Sequence, residues 1–513
     1  MKQQSYLPYI FVLVALLPIL ILRDYTYNNE LRYLSIADEA LRNGTFFTFT
    51  NHGVPYADKP PLFIWGIMLG KAILGKHCIW LLSLFSLIPA LIIARTMSHW
   101  TAAETQPLYR TSGMLMMLTC GLFLGMAIFV RMDMLMCMFI VLSLHTFYKM
   151  VKRDGNARRN AILFPAYVFL ALFSKGPIGI LVPLLSTVVF LLITGRIRYI
   201  GHYWGWKTWG ILLLGCILWF GGVYLEGGYA YLDNLLFHQT VNRAVKSFHH
   251  QEPFYYYGIV MWYALAPWIL LQVVTIIRAV VQGRIRTDMQ KLFLTVIVTT
   301  FVMLSLISSK IYIYLLPIFP FCVYLTNMLL GKWNRWQALT IAIPAVVFCA
   351  AGPVFAVIAG KESTAWLANG WFYATAILLS VTGIAVLYML YAQKRMDLGI
   401  NTLAIGFFIA LFIGGWGIPQ LNPRLGYRAI CQKAMELSQE KHLKGYHVWE
   451  VSRAENMDVY LHQDIHYVTW EEMTSGKLQH TILMVPLKKT KEVKEALPGK
   501  ESYTVGRYTI IIL

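Results

Sequence analysis

Apolar runs long enough to cross a bilayer recur along most of the chain, separated by short polar stretches. The first, Leu7–Leu22, follows a single Lys2 and has no small-residue cleavage site before Arg23 and Asp24, so it predicts an uncleaved transmembrane helix. Further runs lie near 78–94, 111–128, 134–150, 161–174, 177–194, 208–224, 255–277, 291–307, 312–330, 338–358, 370–392 and 400–418, which makes thirteen predicted spans. The run at 60–74 is also apolar, but it has only 15 residues, opens with Pro60 and Pro61 and contains Lys71. After Pro423 the period changes. A helical pattern over 427–441 is followed by β-rich runs at 446–451, 481–485 and 503–513, with a basic helix at 488–496. The pattern predicts a polytopic α-helical membrane domain over 1–423, with a first outer loop at 23–77 carrying juxtamembrane helices, and a small extracytoplasmic α/β domain over 424–513.

Composition agrees with this division. Of 513 residues 58% are hydrophobic and 13% charged, whereas soluble chains carry about 45–50% apolar and about 25% charged residues. The net charge of +19 raises the prospect of nucleic acid as a partner. The pattern excludes it, because residues 424–513 hold 13 Lys/Arg against 11 Asp/Glu and the remaining excess sits in short loops between apolar runs. With 60–74 taken as a helix on the outer surface, seven inside loops hold 19 Lys/Arg and the opposite loops 10. Counting it as a span would invert that asymmetry against the positive-inside rule. The odd number of spans then places the C-terminal domain outside. The seven cysteines, almost all within apolar runs and none in CxxC spacing, read as small buried hydrophobes.

The informative charges are those left on the outer side. Arg32, Lys59, Arg131, Lys175, Arg243 and Lys310 lie near the membrane boundary beside Glu30, Asp58 and Asp133, where ionisable groups are expensive and usually functional. A single one of them could equally snorkel to headgroup phosphate. Several separate loops nevertheless bring such residues to one face: Asn29-Glu30-Leu31-Arg32-Tyr33 after the first span, Asp58-Lys59-Pro60-Pro61 before the surface helix, Arg131-Met132-Asp133, Ser174-Lys175-Gly176-Pro177, and Ser308-Ser309-Lys310.

Taken with Glu252-Pro253-Phe254-Tyr255-Tyr256-Tyr257 and the run from Ser309 through Tyr314 to Pro317, these motifs resemble, in matching order, those of the C-type (GT-C) membrane glycosyltransferases. Within that fold family the likeness is to the lipid A aminoarabinose transferases and their protein O-mannosyltransferase relatives. The resemblance implies a polyprenyl-phosphate-linked sugar as donor, inversion at the anomeric carbon, and an active site facing the periplasm at the bacterial inner membrane. It implies lipid A, or another periplasmic acceptor such as a protein hydroxyl or a glycan, as partner. By the same resemblance Arg32 and Lys59 hold the donor phosphate, with Arg131, Lys175, Arg243 and Lys310 assisting and Tyr33 and Tyr314 lining the substrate.

A hydroxyl acceptor calls for a carboxylate base, and the departing lipid phosphate calls for cations. Where relatives carry an acidic pair, this chain reads Asn29-Glu30, which makes Glu30 the first candidate base and Asp133 the second. Asp58 with His238 is the candidate site for a divalent metal (zinc or magnesium), on a partial match to a Glu-His pair of the family. The rival class, a transporter, predicts ionisable groups at mid-span and Gly/Pro-broken helices in paired halves. Here the charges gather at span ends and no half-repeat is evident.

Overall fold

The computed structural model describes residues 6–236 and 252–513. Eight helices among them are long and apolar enough to cross a membrane: Ile79–Trp100, Asp133–Lys152, Trp206–Leu236, Asp288–Leu306, Tyr312–Leu329, Arg335–Ala359, Gly370–Tyr391 and Met396–Gly415. Two bent pairs raise the number to ten if each is one span: Pro107–Leu118 with Gly121–Ile128, bent by 66°, and Tyr256–Ala264 with Ile269–Val281, bent by 119°. The chain is thus a multi-pass helical membrane protein. The three other predicted spans are helical too. Leu7–Leu22 and Ile178–Ile193 have 16 residues each, and Ala157–Lys175 carries Arg158 and Arg159 in its first turn.

Local chemistry sets the helix ends. Asn156 accepts a hydrogen bond from Arg159 N (3.0 Å) at the start of Ala157–Lys175, and Thr287 with Gln290 forms a reciprocal capping box at Asp288–Leu306. Asp133–Lys152 opens on its acid and closes with Lys149 and Lys152, the charge order that the helix dipole favours. The bend after Leu118 comes where Cys120 adopts an extended conformation (φ −64°, ψ 127°), interrupting the helical ladder between the two halves.

The chain forms two compact units, each built from separated segments. One holds the described residues of Met1–Leu17, Ala57–Phe63 and Leu81–Gly414; the other holds Pro18–Tyr56, Ile64–Trp80 and Gly415–Leu513. In the second unit, helix Glu30–Asn43 ends where Gly44 takes a left-handed conformation (φ 69°), and its N–H reaches Ala40 O. A short hairpin follows, β1 Thr50–Asn51 with β2 Val54–Pro55. The predicted surface helix at 60–74 is a helix over Leu62–Leu74.

The C-terminal part carries β3 Tyr446–Val448, β4 Ile465–Tyr467, β5 Ile482–Pro486, β6 Ser502–Val505 and β7 Tyr508–Ile512, in the order β4-β3-β5-β7-β6. β3 pairs parallel with β4 and β5, while β7 pairs antiparallel with β5 and β6. One face packs on Trp449, Met473, Leu483, Val485, Val493, Ile511 and Leu513.

Candidate active site

In the first unit, the backbone brings an acid and a base together at the ends of two neighbouring helices. Asp133 is the first residue of Asp133–Lys152, and Lys175 is the last of Ala157–Lys175. The stop after Lys175 is Gly176, whose φ of 118° side chains rarely adopt. Three residues further, Gly179 lets the next helix press against the previous one, because a Cβ there would stand 2.3 Å from the Ala171 carbonyl carbon. The Asp133 side chain is almost fully buried (1% exposed) and Lys175 nearly so (7%). Lys175 Nζ donates to Asp133 Oδ1, and Arg131 Nε donates to Oδ2 at 3.0 Å. Arg131 is itself fixed through its backbone, since its carbonyl accepts from Ser86 Oγ at 3.1 Å and its N–H donates back to Ser86 Oγ at 3.3 Å.

Lys175 also lines a cavity of about 270 Å³. Its polar wall is formed by Asp58, Lys59, Lys175, Ser309 and Tyr314, and the rest is apolar: Leu172, Ile178, Leu181, Trp219, Phe220 and Ile307 among others. Lys175 Nζ lies 4.5 Å from the centroid of the Tyr314 ring, within cation–π range. Tyr314 is presented by the 3₁₀ helix Tyr312–Ile318. Two lysines beside a hydroxyl-bearing wall at one side of an apolar cavity suit a ligand with an anionic head and a hydrocarbon body.

Lys310 is buried (4% exposed), and its Nζ donates to the Glu252 carbonyl at 2.8 Å, fixing the segment that opens the aromatic run. It is not among the cavity-lining residues. Arg243 and His238 lie outside the described residues. Asp58 is at the cavity, and among the described residues no group of three or more His, Cys, Asp or Glu side chains could hold a metal ion.

The remaining predicted site residues belong to the second unit. Glu30, fully buried, accepts from Arg23 Nη1 and Nη2 at 2.8 Å each, from Thr26 N at 2.7 Å and from Thr26 Oγ1 at 3.0 Å. As the first residue of its helix it also sits at the favourable end of the dipole. This carboxylate is already engaged on both oxygens and ties the first loop to its helix. Asn29 precedes the helix without a side-chain cap bond to it, and its Oδ1 accepts from Arg32 Nη2 at 3.5 Å. The Arg32 guanidinium lies over the Tyr33 and Tyr56 rings, at 5.7 and 5.4 Å from their centroids.

Two clusters in this unit escape a reading of the sequence. Asp24 accepts from Tyr460 Oη at 2.5 Å and from Arg428 N at 2.9 Å, and its N–H donates to Asn422 Oδ1 at 3.0 Å. Ser35 Oγ donates to Asp458 Oδ2 at 3.0 Å and lies 3.2 Å from His52 Nε2. Both join the first loop to the C-terminal segment over several hundred positions, a separation that no local pattern encodes. The only local hint is the charge of Asp24 directly after an apolar run.

No family model matches the chain. The chain is 22% identical over 451 residues to an uncharacterized protein of Aquifex aeolicus, covering 85% of this chain and 84% of that one. It is 21% identical over 440 residues to the undecaprenyl phosphate-α-4-amino-4-deoxy-L-arabinose arabinosyl transferase of Shewanella sediminis, covering 84% and 72%. Among solved structures it is similar to ArnT from Cupriavidus metallidurans bound to undecaprenyl phosphate, with a TM-score of 0.75 at 18% identity over 99% of this chain and 98% of that one. At that identity the likeness establishes a common fold.

Proposed function

We propose, from an architecture shared with the C-type membrane glycosyltransferases, that this chain is an inverting glycosyltransferase that moves a single sugar from a polyprenyl-phosphate donor to lipid A. The observation that carries the reading is the cavity in which Lys59 and Lys175 stand with Asp58, Ser309 and Tyr314 on one polar wall, the rest being apolar. The donor phosphate lies against the two ammonium groups and the first prenyl units lie along Leu172, Ile178, Trp219 and Phe220. As the glycosidic bond to phosphate breaks, negative charge accumulates on the leaving oxygen. Lysines already in position stabilise that charge more in the transition state than in the ground state.

The arabinosyl transferases among the relatives name an undecaprenyl-linked aminosugar as their donor, and the ArnT structure holds undecaprenyl phosphate. We carry both to this chain as the proposed donor class. In this reading the reaction takes place at the outer face of the inner membrane, and residues 424–513 are the periplasmic domain appended to a transmembrane transferase domain over 1–423.

Glu30 and Asp133, the carboxylates that the sequence offers as bases, each sit in a buried ion pair. A hydroxyl acceptor would have to lose its proton to one of them or to Asp58, the carboxylate that lines the cavity. A phosphate group of lipid A is already ionised at neutral pH and attacks the anomeric carbon without a base, which favours lipid A over a protein or glycan hydroxyl. The test is transfer of radiolabelled aminosugar from its undecaprenyl-phosphate donor to lipid A by purified protein, in parallel with dephosphorylated lipid A. Transfer to the phosphorylated acceptor alone is the expected result. Equal transfer to both would overturn the phosphate reading, and transfer to neither would overturn the function.

A further inference from the structure

We infer that Asp133 is a positioning residue, which fixes the Lys175 ammonium at the cavity wall and acts on the reaction only through that lysine. The inference rests on the donor reading above and goes beyond it by giving the buried acid a role other than base.

Three observations carry it. First, Asp133 is absent from the cavity lining, whereas Lys175 is part of it, so the lysine stands between the acid and any bound donor. Second, both Asp133 oxygens are engaged, Oδ1 by Lys175 and Oδ2 by Arg131. One carboxylate faces two cations, and a proton added to it would leave two like charges confronting each other in a buried site. That arrangement commits both oxygens of Asp133 to cations and makes it a strong fixing point for them. Third, the backbone prepares the pair: the acid opens one helix and the lysine closes the next, each charge at the helix end that favours it.

A lysine is a point charge on a flexible four-carbon stem, and its direction has to be imposed from outside. Here Asp133 imposes it from one side and the Tyr314 ring, 4.5 Å from Nζ, borders it on another. The three charges of Arg131, Asp133 and Lys175 leave one net positive charge, which complements the phosphate of the donor. Removing Asp133 therefore withdraws the constraint on Lys175, and the effect falls on how tightly the phosphate is held.

The experiment measures the dissociation constant of undecaprenyl phosphate, which has no sugar to transfer and so does not report on a base. Purified wild type, Lys175→Met, Asp133→Asn and the double variant are compared in detergent, with thermal unfolding as a control for folding. Lys175→Met should weaken binding at least tenfold, Asp133→Asn should match it within about threefold, and the double variant should be no weaker than Lys175→Met. If Asp133→Asn alone fails to fold, because Arg131 and Lys175 are left facing each other, the comparison of Lys175→Met with the double variant decides. A double variant clearly weaker than Lys175→Met would overturn the inference. So would wild-type binding by folded Asp133→Asn, whether turnover is lost, as for a base, or only the melting temperature falls, as for a structural pair. Failure of the wild type to bind undecaprenyl phosphate would overturn the donor reading and this inference with it, and is recognised by its occurrence before any substitution.

Discussion

The Arg23 guanidinium meets Glu30 with two parallel hydrogen bonds, Nη1 to Oε2 and Nη2 to Oε1, each 2.8 Å long and both side chains buried. Such fork-to-fork pairing is the strongest form of charge-assisted contact that two side chains make. Because Thr26 fills further acceptor positions on the same carboxylate, a substitution here acts on the fold of the first loop. Glu30→Gln should lower stability by about 1–3 kcal/mol, the penalty for weakening a buried charged hydrogen bond. Turnover of the folded fraction should stay within a few-fold of wild type. Thermal unfolding and a transfer assay on the same preparation check this; a hundredfold fall in turnover at unchanged melting temperature would return Glu30 to the role of base.

Lys59 stands at the cavity beside Lys175. Its replacement by Ala should remove on the order of 2–4 kcal/mol of transition-state stabilisation, seen as a loss of about 30- to 1000-fold in kcat/KM. The fold should be retained, since the side chain is only half-buried and is shortened at the cavity wall. Lys59→Arg, which keeps the charge, should recover part of the loss. Wild-type kinetics in Lys59→Ala would assign the lysine to headgroup contact instead.

Two carboxylates of the second unit titrate in opposite senses. Burial alone would raise Asp38, but hydrogen bonds from His77 Nε2 and Lys71 Nζ, both at 2.6 Å, hold its carboxyl below the usual range. Its contribution to stability is therefore full above the unfolded pKa near 3.8 and is lost as pH falls through the folded value. Asp458 is pushed up, chiefly by burial, against the opposing pull of His52 and Ser35. Its neutral form is favoured in the folded protein, so its contribution is largest below 3.8 and declines as pH rises through the folded pKa. Melting curves between pH 3 and 8 should show a shallower acid-side fall for Asp38→Asn than for wild type, and for Asp458→Asn the disappearance of the loss of stability that Asp458 adds as pH rises. Identical profiles for all three proteins would contradict the assignment.

The proposed orientation predicts that alkaline phosphatase fused after Leu513 is active and that a fluorescent protein which matures only in the cytoplasm stays dark there. The reverse pattern would place residues 424–513 in the cytoplasm and remove the periplasmic site with them.

Gly179 allows the close approach of the two helices that flank the Lys175 turn. Gly179→Ala should cost about 1–3 kcal/mol through overpacking against Ala171 and Leu172. Because the strain falls four residues from Lys175, undecaprenyl phosphate binding should weaken as well. Calorimetric melting and lipid binding report the two effects separately.

Sequence pattern makes the helical membrane part readable because a bilayer demands apolar length, and length survives as an uninterrupted run. The 66° bend leaves no such trace, since the apolar run continues through Cys120 while only the backbone changes direction; the 119° bend is marked in the run only by Pro267. In the C-terminal sheet, residues 503–513 read as one strand but fold as the β6–β7 hairpin, turning at Gly506 with φ 60°. β4 is missed because three residues, two of them exposed, offer no alternation to detect. At the site, Lys59 and Lys175 stand out in the sequence as cations on the wrong side of a charge asymmetry. The engagement of Glu30 by Arg23 does not, because a residue seven positions away looks like any other loop charge until the turn is folded.

Asp24 waits longest for its partners. Asn422 and Arg428 lie 398 and 404 residues downstream. At a synthesis rate of about 5–20 residues per second, the first loop is made roughly 20–80 s before the residues that complete its network. During that interval the loop relies on early contacts such as Arg23–Glu30 and the pairing of Asp38 with Lys71 and His77, so the intervening spans are synthesised before the second unit closes.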